Sequence, residues 1–194
     1  MLKKIPNILT IGRIIIVPFF VLAFYLPGFY GDLTALILFI VASFTDFLDG
    51  MLARMLGEES KLGELLDPIA DKIIVATALI LLVMDGTIGN YEVIAAIIIL
   101  TREILISGLR EFLAKGKIKL PVSNLAKLKT VLQMVSIALL LSGETGNRII
   151  NFPDYNAQTI GIILLWLSAA ITLFTGYEYM RKGIDHAISE DNKD

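Results

Sequence analysis

The sequence predicts an all-α fold, an integral membrane bundle of six transmembrane helices with both termini cytoplasmic. Three observations predict it. The 194-residue chain is 56% hydrophobic, against roughly 45–50% for soluble domains, and its mean hydropathy is +0.75. Its apolar residues fall into six runs close to the length that spans a bilayer, about 17–25 residues. Its basic residues gather in alternate connections, the asymmetry that orients membrane helices.

The first run, Ile8–Tyr25, follows Lys3 and Lys4 and ends at Pro27-Gly28. No small-residue cleavage site follows it, so it reads as a retained helix and not as a removable signal peptide. The second, Asp32–Arg54, ends before Gly57, and the third, Leu65–Met84, ends at Asp85-Gly86. The fourth, Glu92–Phe112, is closed off by Pro121, and the fifth, Leu125–Ser142, by the stretch from Gly143 to Pro153. The sixth is Thr159–Tyr179, with Tyr177 and Tyr179 suited to an interfacial aromatic belt. Residues 1–182 read as a single six-helix transmembrane domain and 183–194 as a polar, frayed cytoplasmic tail. Arg54 and Lys61, then Lys115, Lys117 and Lys119, lie in two connections, and Arg181, Lys182 and Lys193 follow the last helix. The remaining connections hold only Arg148, so the Lys-rich ends and both termini are placed on the cytoplasmic side.

The net charge of −2 argues against nucleic acid as a partner. Cysteine is absent, which excludes a disulfide framework, a thiolate zinc site and a cysteine nucleophile.

Four aspartates sit on two adjacent apolar runs: Asp46 and Asp49 near the end of the second, Asp67 and Asp71 near the start of the third. Ionised carboxylates in an apolar setting are costly and mark function by default. Spacings of three and four place each pair on one helical face, and a short hairpin brings the faces together at one depth. No matching cluster of basic residues lies between them, so divalent cations are the simplest compensation. Hard cations take oxygen ligands, which makes two Mg²⁺ or Mn²⁺ ions the expected cofactors. Gly50, Ala53 and Gly63 are small and leave room for close helix approach or for a ligand.

The full pattern is Asp46-x2-Asp49-Gly50-x2-Ala53-Arg54-x8-Gly63-x3-Asp67-x3-Asp71. It resembles, at every fixed position and spacing, the signature of the CDP-alcohol phosphatidyltransferases. That resemblance implies six transmembrane helices, a homodimer, and attack of an alcohol on a CDP-linked lipid with release of CMP. It implies that Asp46 and Asp67 bridge two metal ions, that Asp49 completes one and Asp71 the other, and that Asp71 is the general base. Gly50, Ala53, Arg54, Ser60 and Gly63 would hold CDP-diacylglycerol. Arg54 suits a diphosphate because its guanidinium donates in a fork.

The stretches Ile5–Pro27, Thr101–Leu113 and Asp67–Lys72 resemble the phosphatidylglycerolphosphate-synthase branch of that family. The acceptor would then be sn-glycerol 3-phosphate, whose phosphate needs cations. Thr10, Arg13, Arg102, Arg110, Lys127 and Lys129 are the residues expected to bind it. One departure is Ala126, where that branch often has glycine before Lys-x-Lys-Thr.

Plainer readings compete. Arg13 can snorkel to the membrane surface, and Arg102 can be a structural partner of Glu103. Lys72 reads as a structural ion pair or a headgroup contact. Within the family, inositol phosphate, serine or phosphatidylglycerol are rival acceptors. Outside it, a prenyltransferase carries its aspartate motifs on distant helices, unlike this hairpin. A cation-coupled transporter predicts ion flux and leaves Gly50, Arg54 and Ser60 unexplained.

Overall fold

The computed structural model describes the backbone of residues 5–56, 61–115, 124–149, 151–152 and 155–191, and the side chains of residues 10–45, 66, 68–113, 124–147, 156–181 and 183–184. Among the described residues the chain is helical apart from one two-residue ladder and the turns at 24–28, 85–91 and 142. In order it forms α1 (Ile5–Ala23), α2 (Phe29–Leu56), α3 (Lys61–Met84), α4 (Glu92–Lys115), α5 (Asn124–Leu141), α6 (Gly143–Ile149), β1 (Asn151–Phe152), β2 (Tyr155–Asn156) and α7 (Ala157–Asp191). The strands pair antiparallel, Asn151 with Asn156 and Phe152 with Tyr155.

Four of the six expected apolar runs lie within one long helix each, and Ile8–Tyr25 and Leu125–Ser142 overrun α1 and α5 by two residues and one. Two differences stand out. The stretch expected to be a plain connection holds α6 and the ladder, and α7 continues as helix through Asp191, where a frayed tail was expected. Gly143, which opens α6, has φ +51°, a left-handed conformation that favours glycine. A Cβ there would also fall 2.2 Å from Asp32 Oδ2, so Asp32 fills the space that a side chain would need.

Helix α1 packs against α2 and α3, while α7 lies along both α4 and α5. The core runs through the bundle from Phe20 and Phe39 to Leu79, Ile99, Ile137 and Leu165. Phe20 meets Phe24 edge to face at 5.6 Å between centroids, a favoured aromatic geometry. Where α5 and α7 approach, Ser136 Oγ donates to the Gly161 carbonyl at 2.7 Å.

Around this apolar core several polar side chains are buried and many large apolar ones are exposed. Thr10, Arg13, Lys129, Gln133, Ser136, Ser168 and Thr172 are buried, whereas Phe19, Ile104, Phe112 and Phe174 are each more than half exposed. Large contiguous apolar exposure marks a surface meant to be covered. Among the described residues, Asn124–Leu141 and Ala157–Arg181 are long and apolar enough to cross a membrane, and Thr10–Ala23 and Phe29–Thr45 are shorter apolar stretches.

Candidate active site

The aspartates lie where two helices meet a connection. Asp46 and Asp49 are in the last part of α2, and Asp67 and Asp71 are in the first part of α3. Ser60 lies outside the described residues, as do the side chains at Asp46, Asp49, Gly50, Ala53, Arg54, Gly63 and Asp67. Asp71 is half-buried and lines a cavity of about 70 Å³ between α3, α4 and α5. Glu103, Lys129, Thr130 and Gln133 line the same cavity.

Lys129 stands on the inward face of α5 and is 4% exposed. Its Nζ donates to Glu103 Oε1 on α4, an ion pair that joins the two helices. Burial of a charge requires such a partner. Lys127, two residues earlier, is exposed. At 3.6 residues per turn the two lysines point to nearly opposite sides of the helix, so the structure brings Lys129, and not Lys127, to the cavity.

Arg102 reaches from α4 to α7. Its Nη2 donates to Thr175 Oγ1 at 3.1 Å, and its Nη1 lies 3.6 Å from Glu103 Oε1. Its stem runs over Gly176, where an added Cβ would lie 3.0 Å from Arg102 Cγ. The Arg102 guanidinium is 5.8 Å from the centre of the Tyr179 ring, and that of Arg110 is 4.9 Å from it. Both distances suit cation–π attraction. Tyr179 is therefore not part of an outer belt: it is 5% exposed and is flanked by two guanidinium groups, while Tyr177 is exposed. Ala126 packs with Ile106 and Tyr179, so its methyl group fills the cluster beneath these arginines.

Thr10 and Arg13 are buried on α1, which packs against the two aspartate-bearing helices. At 1% exposure, Arg13 does not snorkel outward. Neither residue is among those lining the cavity. Lys72 Nζ donates to the Pro68 carbonyl at 2.8 Å, a bond within α3.

The reading from sequence passed over Gln133 and Thr175 and gave Tyr179 to an interfacial belt. Gln133 carried a usable signal, since it lies one turn after Lys129 and is polar inside an apolar run. Thr175 and Tyr179 carried none, because their roles depend on how α7 meets α4.

Four aspartates offer hard oxygen donors, which suit Mg²⁺ or Mn²⁺. Among the described side chains no group of three or more His, Cys, Asp or Glu residues stands close enough to hold a metal ion. The donor chemistry of the motif fits divalent cations, and of the four only the Asp71 side chain is described.

Comparison with known proteins adds to this. The family model described as CDP-alcohol phosphatidyltransferase matches residues 3–174. A relative from Rickettsia felis, named CDP-diacylglycerol–glycerol-3-phosphate 3-phosphatidyltransferase, is 42% identical across 92% of this chain and 94% of its own. Relatives of the same name from Cereibacter sphaeroides and Yersinia pestis are 37% and 38% identical, over 96% and 91% of this chain and 98% and 93% of their own. With the family model spanning most of the sequence and the relatives nearly all of it, the chain belongs to the CDP-alcohol phosphatidyltransferase family of enzymes.

Proposed function

We propose that this protein is a six-span enzyme of the cell (inner) membrane that transfers the phosphatidyl group of CDP-diacylglycerol to sn-glycerol 3-phosphate. The products are phosphatidylglycerol phosphate and CMP. The observation that carries this reading is the cavity where Asp71 on α3 meets Lys129 on α5, with Arg102 and Arg110 on the neighbouring face of α4. An acceptor that bears both a nucleophilic hydroxyl and a phosphate needs a base and cations side by side. The names of the relatives support the same donor and acceptor.

Asp46, Asp49, Asp67 and Asp71 hold two divalent cations. When bound, these supply charge neutralisation of the donor diphosphate and of the oxygens developing charge in the transition state. Gly50, Ala53, Arg54, Ser60 and Gly63 bind the CDP moiety. Lys129, Arg102 and Arg110 orient the acceptor phosphate, and Thr10 and Arg13 support that binding from α1, outside the lining of the described cavity. Asp71 Oδ takes the proton from the primary hydroxyl as its oxygen bonds to the lipid-side phosphorus. The bond from that phosphorus to the CMP oxygen breaks, and CMP leaves. Both termini and the active site face the cytoplasm, in a homodimer.

The test measures CMP release from CDP-diacylglycerol with a panel of alcohols, with Mg²⁺ or Mn²⁺ and after chelation. Release with sn-glycerol 3-phosphate, lost on chelation and restored by either metal, is expected. Preference for serine, an inositol phosphate or phosphatidylglycerol would overturn the acceptor, and cation flux without CMP would point to a transporter.

A further inference from the structure

Gln133 stands one turn beyond Lys129 on α5, is 3% exposed and lines the cavity that Asp71 and Lys129 share. Its Oε1 has no hydrogen-bond partner among the described groups. Buried polar atoms are nearly always paired, and one left unpaired calls for an explanation. A carbonyl oxygen only accepts hydrogen bonds. It gains nothing from a phosphate, whose oxygens at neutral pH are mostly acceptors too, nor from the Asp71 carboxylate. It needs a donor, and the cavity is several times larger than the roughly 10–15 Å³ that one water requires.

We infer that Gln133 is a specificity-determining residue that accepts a hydrogen bond from the non-reacting hydroxyl of the acceptor alcohol. This rests on the proposed transfer to sn-glycerol 3-phosphate. That acceptor has two hydroxyls: the primary one attacks, and the secondary one sits on the adjacent carbon. With the phosphate drawn toward Lys129 and the primary hydroxyl at Asp71, the secondary hydroxyl is the remaining donor, and Gln133 borders the same cavity. The pairing makes the site select a vicinal diol phosphate over a simple hydroxyalkyl phosphate. A site that pairs a buried polar group with a substrate hydroxyl rejects the analogue lacking it.

The experiment compares sn-glycerol 3-phosphate with 3-hydroxypropyl phosphate, which keeps the attacking hydroxyl and the phosphate and lacks the secondary hydroxyl. CMP release is measured for the full-length protein and for Gln133→Met, which keeps length and removes hydrogen bonding. The wild type is expected to favour sn-glycerol 3-phosphate by at least about 10-fold in kcat/KM. Gln133→Met is expected to bring that ratio close to one by losing activity on sn-glycerol 3-phosphate alone, with KM for CDP-diacylglycerol unchanged. Equal use of both acceptors by the wild type overturns the inference, and so does an equal loss on both in the variant. The wild-type ratio decides even if Gln133→Met fails to accumulate, and Gln133→Asn then serves as the second variant, with an intermediate ratio expected. No CMP release by the wild type with either acceptor, but release with another alcohol, overturns the acceptor reading and the inference with it. That pattern is distinct from a loss of discrimination.

Discussion

Lys129 on α5 and Glu103 on α4 form an ion pair across the wall of the cavity that Asp71 lines. The same Glu103 oxygen lies 3.6 Å from Arg102 Nη1, so one carboxylate serves two cations. The cluster keeps a positive excess, which suits a site that must attract an anion and hold its cations in place without one.

Removing Glu103 should therefore cost stability as well as activity. Glu103→Gln leaves the Lys129 charge buried with a weaker acceptor. A destabilisation of about 1–3 kcal/mol is expected in thermal unfolding of the detergent-solubilised protein. The double variant Lys129→Met/Glu103→Leu should recover much of that stability while activity stays lost. Recovery of activity in the double variant would remove Lys129 from the acceptor site.

Asp71→Asn should lower CMP release by at least about 100-fold, the usual scale for a lost general base. Its unfolding temperature should stay near that of the wild type, since the substitution conserves shape. Near-normal turnover in this variant would sink the assignment of Asp71 as base.

Tyr179 should act through its ring more than through its hydroxyl. The two arginine guanidiniums lie 5.8 and 4.9 Å from the ring centre, and such contacts contribute roughly 0.5–2 kcal/mol each. Tyr179→Leu is expected to raise KM for sn-glycerol 3-phosphate about 3- to 30-fold with little change in KM for CDP-diacylglycerol. Tyr179→Phe should stay within about threefold of the wild type. A larger loss in Tyr179→Phe would shift the role to the hydroxyl.

Gly176→Ala sets two effects against each other. Alanine is favoured over glycine inside a helix by about 1 kcal/mol, but its Cβ would press on Arg102 Cγ at 3.0 Å. Net stability should change by less than about 1 kcal/mol, while displacement of Arg102 raises KM for sn-glycerol 3-phosphate several-fold. Unaltered kinetics would mean that the Arg102 stem moves aside without consequence for the guanidinium.

The long helices were legible because a run of apolar side chains broken by Gly and Pro leaves few alternatives. Helix α6 and the ladder of Asn151 with Asn156 were not, since their short segment has no periodicity and the approach of Asp32 to Gly143 joins residues far apart in sequence. Asp71 was legible as a candidate from its motif, and it lines a cavity wall. Lys127 and Lys129 looked alike in sequence, and only the helical phase of α5 against α4 separates them. Tyr179 near the end of a span has the composition of an interfacial residue; its burial follows from the extension of α7 past Tyr179 and its packing on α4. Gln133 was passed over because one amide within an apolar run carries no motif.

Helix α7 is pinned to α5 at Gly161 and to α4 at Thr175 and Gly176. Thr175 lies fourteen positions after Gly161, about 21 Å at the helical rise. Between these anchors α7 works as a ruler. One inserted residue would advance everything beyond it by about 1.5 Å and turn it by about 100°, taking Thr175, Gly176 and Tyr179 away from Arg102 together. The span between the two pins is thus a measured length, to which a single-residue insertion is a greater threat than most substitutions.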